Sequence, residues 1–285
     1  MSRIPETELI INNDGSVYHL NLKPGDISDT IITVGDPGRV YRVSNYFDSL
    51  DFEMNRREFI THTGNYKGKR ISVISTGMGT DNIEILMTEL DAIFNIDISS
   101  REPKKRKRKL NIIRIGTSGG IQQDLKLGTF LASDYAIGID TLGAFYNFPQ
   151  DDFGEKVCSK LQARTKLPFL PYSGRCSKKL MEQLAYDMVR GNTITAPGFY
   201  APQGRKVRLE PKNPDFLDEL VYFHEGDFWL TNFEMETAAY YGLGTLLGHE
   251  MLSLNVIIAN RVRKTFSKNY NTSIDKLIKT VLDRI

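Results

Sequence analysis

A chain of 285 residues, 40% hydrophobic and 25% charged, has the ordinary make-up of a folded protein with one large α/β domain or two small ones. Its formal net charge of +2 supplies no whole-molecule field for nucleic acid or an anionic membrane, and no apolar run approaches the roughly 18 residues of a membrane span. The opening MSRIPETELIINNDG lacks the apolar segment of a secretion signal, and Cys158 and Cys176 fit neither a metal-ligand spacing nor a disulfide framework, so a reducing cytoplasm and no bound metal are expected.

Residues 1–16 read as an N-terminal arm, followed by a short strand around Val17-Tyr18-His19-Leu20. The β-branched run 30–34 is a buried strand, and RISVIS at 70–75 is a second. Ile83, Leu86, Met87, Leu90, Ile93 and Phe94 then recur at helical spacing, with Thr80 or Asp81 as the cap. A third buried strand covers 110–115 and a longer one 129–137; helices are expected at 155–165 and 176–190. Thr193 to Ala196 reads as a strand, 197–215 as a polar loop, 234–248 as a helix, 252–259 as an apolar strand and 272–284 as a closing amphipathic helix. Strands alternating with helices, with no internal repeat and no long linker, indicate a single layered α/β domain over residues 1–285.

In such sheets ligands sit beyond the carboxyl ends of strands. The first strand ends in Gly35-Asp36-Pro37-Gly38-Arg39, the second in Ser75-Thr76-Gly77-Met78-Gly79-Thr80. The third carries Arg114 and ends in Gly116-Thr117-Ser118-Gly119-Gly120. Glycine turns let backbone N–H groups approach an anion, and arginine adds bidentate oxyanion recognition. Arg114 inside an apolar strand needs a partner, and Asp36 and Glu58 are candidates. These features, with Arg57 in NRREF, describe a phosphate or sulfate site. GMGTDN lacks the third glycine of a dinucleotide fingerprint, no P-loop is present, and neither His-Glu pair extends to a zinc-protease motif.

Two further stretches bear polar chemistry. In Asn232-Phe233-Glu234-Met235-Glu236-Thr237-Ala238 the acids sit at a helix start. There they favour the helix dipole, or one of them accepts hydrogen bonds from sugar hydroxyls beside the soft methionine. In Gly198-Phe199-Tyr200-Ala201-Pro202-Gln203-Gly204-Arg205 an aromatic face is followed by an amide and a guanidinium, a set able to stack on a planar base and read its edge. Lys104 to Lys109 is a six-residue basic run; a solvated loop accounts for it, while an RNA-binding module would also require exposed aromatics nearby, which the sequence does not offer.

VGDPGR, NRREF, STGMG, RIGTSGG, FYAPQGR and FEMETAA occur in the order seen in the nucleoside phosphorylase-I family, and the chain resembles its uridine phosphorylase branch from about Tyr18 to Arg261. The resemblance implies a three-layer α/β/α sandwich with a mixed, partly barrel-like central sheet. It implies cleavage of uridine by inorganic phosphate, as co-substrate and with no cofactor, to uracil and ribose 1-phosphate; 2′-deoxyuridine is a related candidate substrate. Gly35, Arg39, Arg57, Arg114 and Thr117 would bind phosphate; His19, Thr117, Met235 and Glu236 would bind ribose. Ser118, Gly119, Phe199, Gln203, Arg205, Glu234 and Arg261 would bind the base. Arg114, Gln203 and Arg205 would carry the catalysis. Arg57 and His19 resemble residues donated across a subunit interface, so a homodimer with shared sites, or a trimer of dimers, is implied. Some bacterial members hold a monovalent cation at that interface, and Glu58 is placed for it. Arg56 stands where the family has a histidine and Pro202 where it has a glycine. Purine-cleaving members and hydrolytic nucleosidases carry Ser-Asp after the late apolar strand. This chain has Ala259-Asn260-Arg261, which favours a pyrimidine. The alternatives are a purine phosphorylase or nucleosidase of the same fold, and a nucleoside-binding relative without turnover.

Overall fold

The computed structural model describes residues 3–285. One mixed sheet of 11 strands organises the chain. Its strands are β1 (Thr30–Val34), β2 (Ser49–Arg56), β3 (Phe59–Tyr66), β4 (Lys69–Ser75), β5 (Asn111–Gly120), β6 (Phe130–Gly138), β7 (Tyr172–Arg175), β8 (Val189–Thr195), β9 (Asn232–Glu234), β10 (Glu250–Asn260) and β11 (Thr265–Phe266). The helices are α1 (Pro37–Ser44), α2 (Thr80–Asn95), α3 (Asp152–Thr165), α4 (Lys178–Leu184), α5 (Phe216–Val221), α6 (Thr237–Leu247) and α7 (Tyr270–Arg284).

β4, β1, β5 and β10 lie side by side and parallel. β10 then turns back onto β6 antiparallel, β6 and β8 run parallel, β8 and β9 run parallel, and β9 closes onto β5 antiparallel. That ring of strands β5, β10, β6, β8 and β9 is a closed barrel growing out of an open sheet, the mixed three-layer arrangement expected.

Successive side chains on a strand face opposite ways, so a strand buried on both faces is apolar throughout. Ile31 and Ile112 pack with Leu86, Leu90 and Ile93 of α2 and Ala238 and Ala239 of α6. Their neighbours Ile32 and Ile113 pack on the other side with Val40 of α1 and Leu277, Ile278 and Val281 of α7. A third cluster sets Val157 and Leu161 of α3 and Leu220 of α5 against Ile137, Ile194 and Phe233. Each such side chain contributes about 1.5–3 kcal/mol by leaving water.

Several expectations need correcting. The stretch Val17 to Leu20 is a turn, not a strand: Val17 bridges Ile11, and the Glu89 carboxylate takes the backbone N–H groups of His19 and Leu20. The helix expected at 176–190 ends at Leu184 and gives way to β8. The helix expected from 234 starts at Thr237, since Glu234 still belongs to β9. The third strand does not stop at Ile115; it continues through the glycines and hydroxyls to Gly120, paired along its length with β10.

The basic run packs around the end of α2. Lys104 Nζ donates to the Phe94 carbonyl at 2.9 Å and Lys107 Nζ to that of Asn95 at 3.2 Å, which places cations where the helix dipole is negative. Lys109 meets Glu250 and Arg108 meets Asp29, while Asn95 pairs with the backbone of Arg108 through both its amide oxygen and its amide nitrogen. Among the described residues no helix is long and apolar enough to cross a membrane.

Candidate active site

The ends of β1, β4 and β10, the second half of β5 and the β9–α6 junction open onto one cleft of about 860 Å³. Its lining includes Gly35, Arg39, Arg114, Thr117, Ser118, Gly119, Phe199, Gln203, Arg205, Glu234, Met235, Glu236 and Arg261. Thirteen of the fifteen residues singled out in the sequence thus meet in one place. The other two, His19 and Arg57, lie elsewhere and cluster with each other: the Arg57 guanidinium stands 5.8 Å from the Tyr18 ring centre, and the Tyr18 and His19 rings are edge to face at 4.8 Å. Arg57 is exposed in the turn between β2 and β3, with the unusual φ of 53°. His19 Nδ1 lies 2.6 Å from Glu89, which also fixes its backbone.

At one end of the cleft two guanidinium groups face the same space. Asp36 caps α1 by accepting from Gly38 N at 2.9 Å, and this puts Arg39 in the first helical turn. Arg39 is buried; one Nη donates to the Ile115 carbonyl at 3.0 Å, and its Nε has no protein partner. Burial lowers its pKa to about 10; Asp36 opposes that shift and Arg114 adds to it. A buried arginine with a donor to spare is suited to receive an anion. Gly77, at φ 67°, lets the β4 turn come close: its carbonyl lies 3.3 Å from where a side chain on Gly35 would start.

Arg114 finds partners other than Asp36 or Glu58. One Nη donates to Glu236 Oε2 at 2.5 Å and lies 3.2 Å from Glu234 Oε2; the other donates to Asn255 Oδ1 at 2.9 Å and Ser253 Oγ at 3.4 Å. Burial works against its charge, but the carboxylates Glu234 and Glu236 outweigh it and hold the pKa above the ordinary arginine value. Those acids come from β9 and the cap of α6, far along the chain and beyond the reach of local pattern reading.

Glu234 and Glu236 divide the work between them. The Glu234 carboxylate accepts from the N–H groups of Glu236 and Thr237 at 2.9 and 3.0 Å and from Thr195 Oγ1 at 2.5 Å. Thr195 Oγ1 in turn accepts from Ala238 N at 2.9 Å. The N–H groups of Glu236, Thr237 and Ala238 at the start of α6 are thereby satisfied, so Glu234 is a helix-capping group whose oxygens are already occupied. Glu236 accepts from Gly79 N at 2.9 Å as well as from Arg114. Its pKa is raised, by burial first and by the Glu234 charge, against the pull of Arg114.

The opposite end is built on the loop after β8. Pro202 lies in a short 3-10 turn, Ala201–Gln203, that ends at Gly204 with φ 67°. Arg205 stands over Phe199, with its guanidinium carbon 3.7 Å from the ring centre, and donates to Gln203 Oε1 at 2.6 Å. Arg261 donates to the Gln203 carbonyl at 2.9 Å. Burial, and then Arg261, bring the Arg205 pKa down to about 10. Asn260 lines the cleft with its polar atoms already engaged: its amide donates to the carbonyls of Gln122 and Leu125, and its oxygen accepts from Arg263 N. Ser118 carries a buried hydroxyl with no protein partner.

Sequence reading missed Phe233, Leu217 and Ile258 as apolar walls and Met78, Lys264 and Phe266 at the rim. Five of these residues showed only apolar or aromatic character and Lys264 only a single charge, all of which also fit ordinary core or surface positions.

The phosphorylase superfamily profile matches residues 29–284. A uridine phosphorylase from Thermococcus kodakarensis is 30% identical over 267 residues, 93% of this chain and 83% of that protein. A DeoD-type purine nucleoside phosphorylase from Bacillus thuringiensis is 28% identical, covering 93% of this chain and 97% of its own. Among solved structures, a Trypanosoma brucei nucleoside phosphorylase described as showing uridine phosphorylase activity superposes with a TM-score of 0.88 at 28% identity, over 97% of this chain and 98% of its own. A study of Phytophthora capsici uridine phosphorylases provides a structure with a TM-score of 0.70 at 21% identity, covering 99% of this chain and 98% of its own; that likeness concerns the fold.

Proposed function

From the premise that this chain belongs to the phosphorylase superfamily and is a nucleoside phosphorylase, a pentosyltransferase, we propose that it cleaves uridine with inorganic phosphate to uracil and ribose 1-phosphate. The observation that carries the choice of base is the Phe199–Gln203–Arg205 arm, with Arg261 beside it and no acid at Asn260. A pyrimidine with two carbonyls and an N–H suits an amide that both donates and accepts and guanidinium groups that donate. A purine leaving group instead calls for an acid to protonate its imidazole ring.

The reaction follows from charge. Phosphate is a weak nucleophile, so the glycosidic bond breaks ahead of attack and the sugar becomes oxocarbenium-like. Arg39, Arg114, the Gly35 backbone and Thr117 hold the phosphate dianion under C1′, where its charge also stabilises the cationic sugar. Glu236 and Met235 hold the ribose. Negative charge developing on the uracil meets Gln203 and Arg205, so no general acid is required.

His19 and Arg57 stand outside their own cleft, and we read them as supplied to the site of a neighbouring copy. Glu89 holds the His19 ring by Nδ1, which leaves Nε2 for a ribose hydroxyl. Mixing Arg57→Ala protomers with Arg205→Ala protomers should restore activity, since each hybrid dimer regains one intact site; no gain on mixing would remove the shared-site reading.

The test of substrate is direct: kcat/KM for uridine and for inosine, each with phosphate. Uridine should be favoured by at least about 100-fold, the scale set by leaving dedicated hydrogen-bonding groups unpaired. A preference for inosine would reverse the assignment.

A further inference from the structure

Arg114 is the side chain on which the phosphate and ribose ends of the cleft converge, and its orientation is set from behind. We propose that Asn255 is a positioning residue for the reaction, acting through Arg114; this rests on the reading of Arg39 and Arg114 as the phosphate subsite.

Asn255 is fully buried on β10 and does not line the cleft. It pairs in register with Gly116 of β5, as Ser253 does with Arg114. The Arg114 side chain folds forward over Gly116 to reach Asn255: a side chain on Gly116 would begin 2.1 Å from Arg114 Nη1. The absent side chain on one strand and the amide on the other therefore form one device. Ser253 and Asn255, two residues apart, lie on the same face of β10, opposite the one that packs on α7. Ser253 Oγ is also bonded to Thr237 Oγ1 at 2.8 Å, at the start of α6. Arg114 is thus tied to the two strands and the helix cap that build the cleft.

The choice of an amide has a physical reason. An apolar residue at 255 would leave Arg114 Nη1 with only the long contact to Ser253, and the guanidinium would lose the anchor that fixes its direction. A carboxylate would be a third acid around one cation, after Glu234 and Glu236, and would oppose the approach of a dianion. The asparagine accepts a hydrogen bond and adds no charge.

The test is calorimetric titration with inorganic phosphate of the wild-type protein, Asn255→Ala, the near-isosteric Asn255→Leu, Arg114→Lys and the double variant Arg114→Lys/Asn255→Ala, with thermal melts to check folding. Arg114→Lys keeps the charge but cannot span both sets of acceptors. Asn255→Ala and Asn255→Leu should weaken phosphate binding by about tenfold, the scale of one hydrogen bond to a charged group. In the Arg114→Lys background, Asn255→Ala should change it by less than about twofold, because a residue that acts only through Arg114 has nothing left to position. Wild-type affinity in both single Asn255 variants, or the full effect of Asn255→Ala persisting in the Arg114→Lys background, would overturn the proposal. Failure of the wild-type protein to bind phosphate would overturn the phosphate subsite itself, and the positioning role with it.

Discussion

The two ends of the cleft use arginine in opposite ways. Arg114 is held by three hydrogen bonds and an additional ion pair among buried groups of β9, β10 and the start of α6, with its acids and its amide partner themselves bonded to backbone and hydroxyl groups. Arg205 is half-buried on a loop, set over the half-exposed Phe199 and bonded to acceptors of its own loop. The first arrangement is fixed before any ligand arrives. The second rests on contacts within one loop. Inorganic phosphate is the same whichever nucleoside is cleaved, whereas bases differ, so under the proposed function a rigid end and a loop-built end suit the phosphate and the base respectively.

That contrast is sharpest in the effects of removing each arginine. Arg114→Ala should destabilise the fold by about 3–5 kcal/mol, because two buried carboxylates lose their cation. A thermal or urea melt measures this, and an unchanged melt would mean that the carboxylates are neutral or solvated. Arg205→Ala should leave the melt nearly unmoved and lower kcat by roughly 10²–10³, the usual loss for one donor to a developing anion. Wild-type turnover in that variant would break the base-end account.

The pH dependence separates the two ends more gently. Arg39 and Arg205 each have pKa values pulled down to about 10, whereas Arg114 is held up by its carboxylates. Each depressed group is protonated at neutral pH and loses its charge as pH rises through that value. Phosphate affinity and base-end stabilisation should therefore both fall on the alkaline side of about pH 10, while the buried ion pairs of Arg114 persist. A kcat/KM profile that stays flat through that range, in a protein still folded by circular dichroism, would contradict the burial argument.

What could be read from the sequence follows the same physics. β1 and β4 were legible because their central residues are buried on both faces and are apolar or small hydroxyls. The hairpin of β2 and β3 was missed for the opposite reason: SLDFEMNR is mostly exposed, and FITHTGNY is buried through threonines, a histidine and a glycine. The continuation of β5 through Gly116-Thr117-Ser118-Gly119-Gly120 looked like a turn, since glycine runs normally end strands. Here neighbouring strands hold it extended, and the glycine makes room for Arg114. Local motifs identified which side chains would gather at the cleft, but not which would bond to which. The match of Arg114 with Glu234, Glu236 and Asn255 depends on barrel closure.

The most direct measurement is the loss of uridine ultraviolet absorbance with and without inorganic phosphate. Cleavage that requires phosphate, with ribose 1-phosphate as the sugar product, is the predicted result. Equal cleavage without phosphate, releasing free ribose, would contradict the account, because the phosphate-binding role proposed for Arg39 and Arg114 would then serve no step of the reaction.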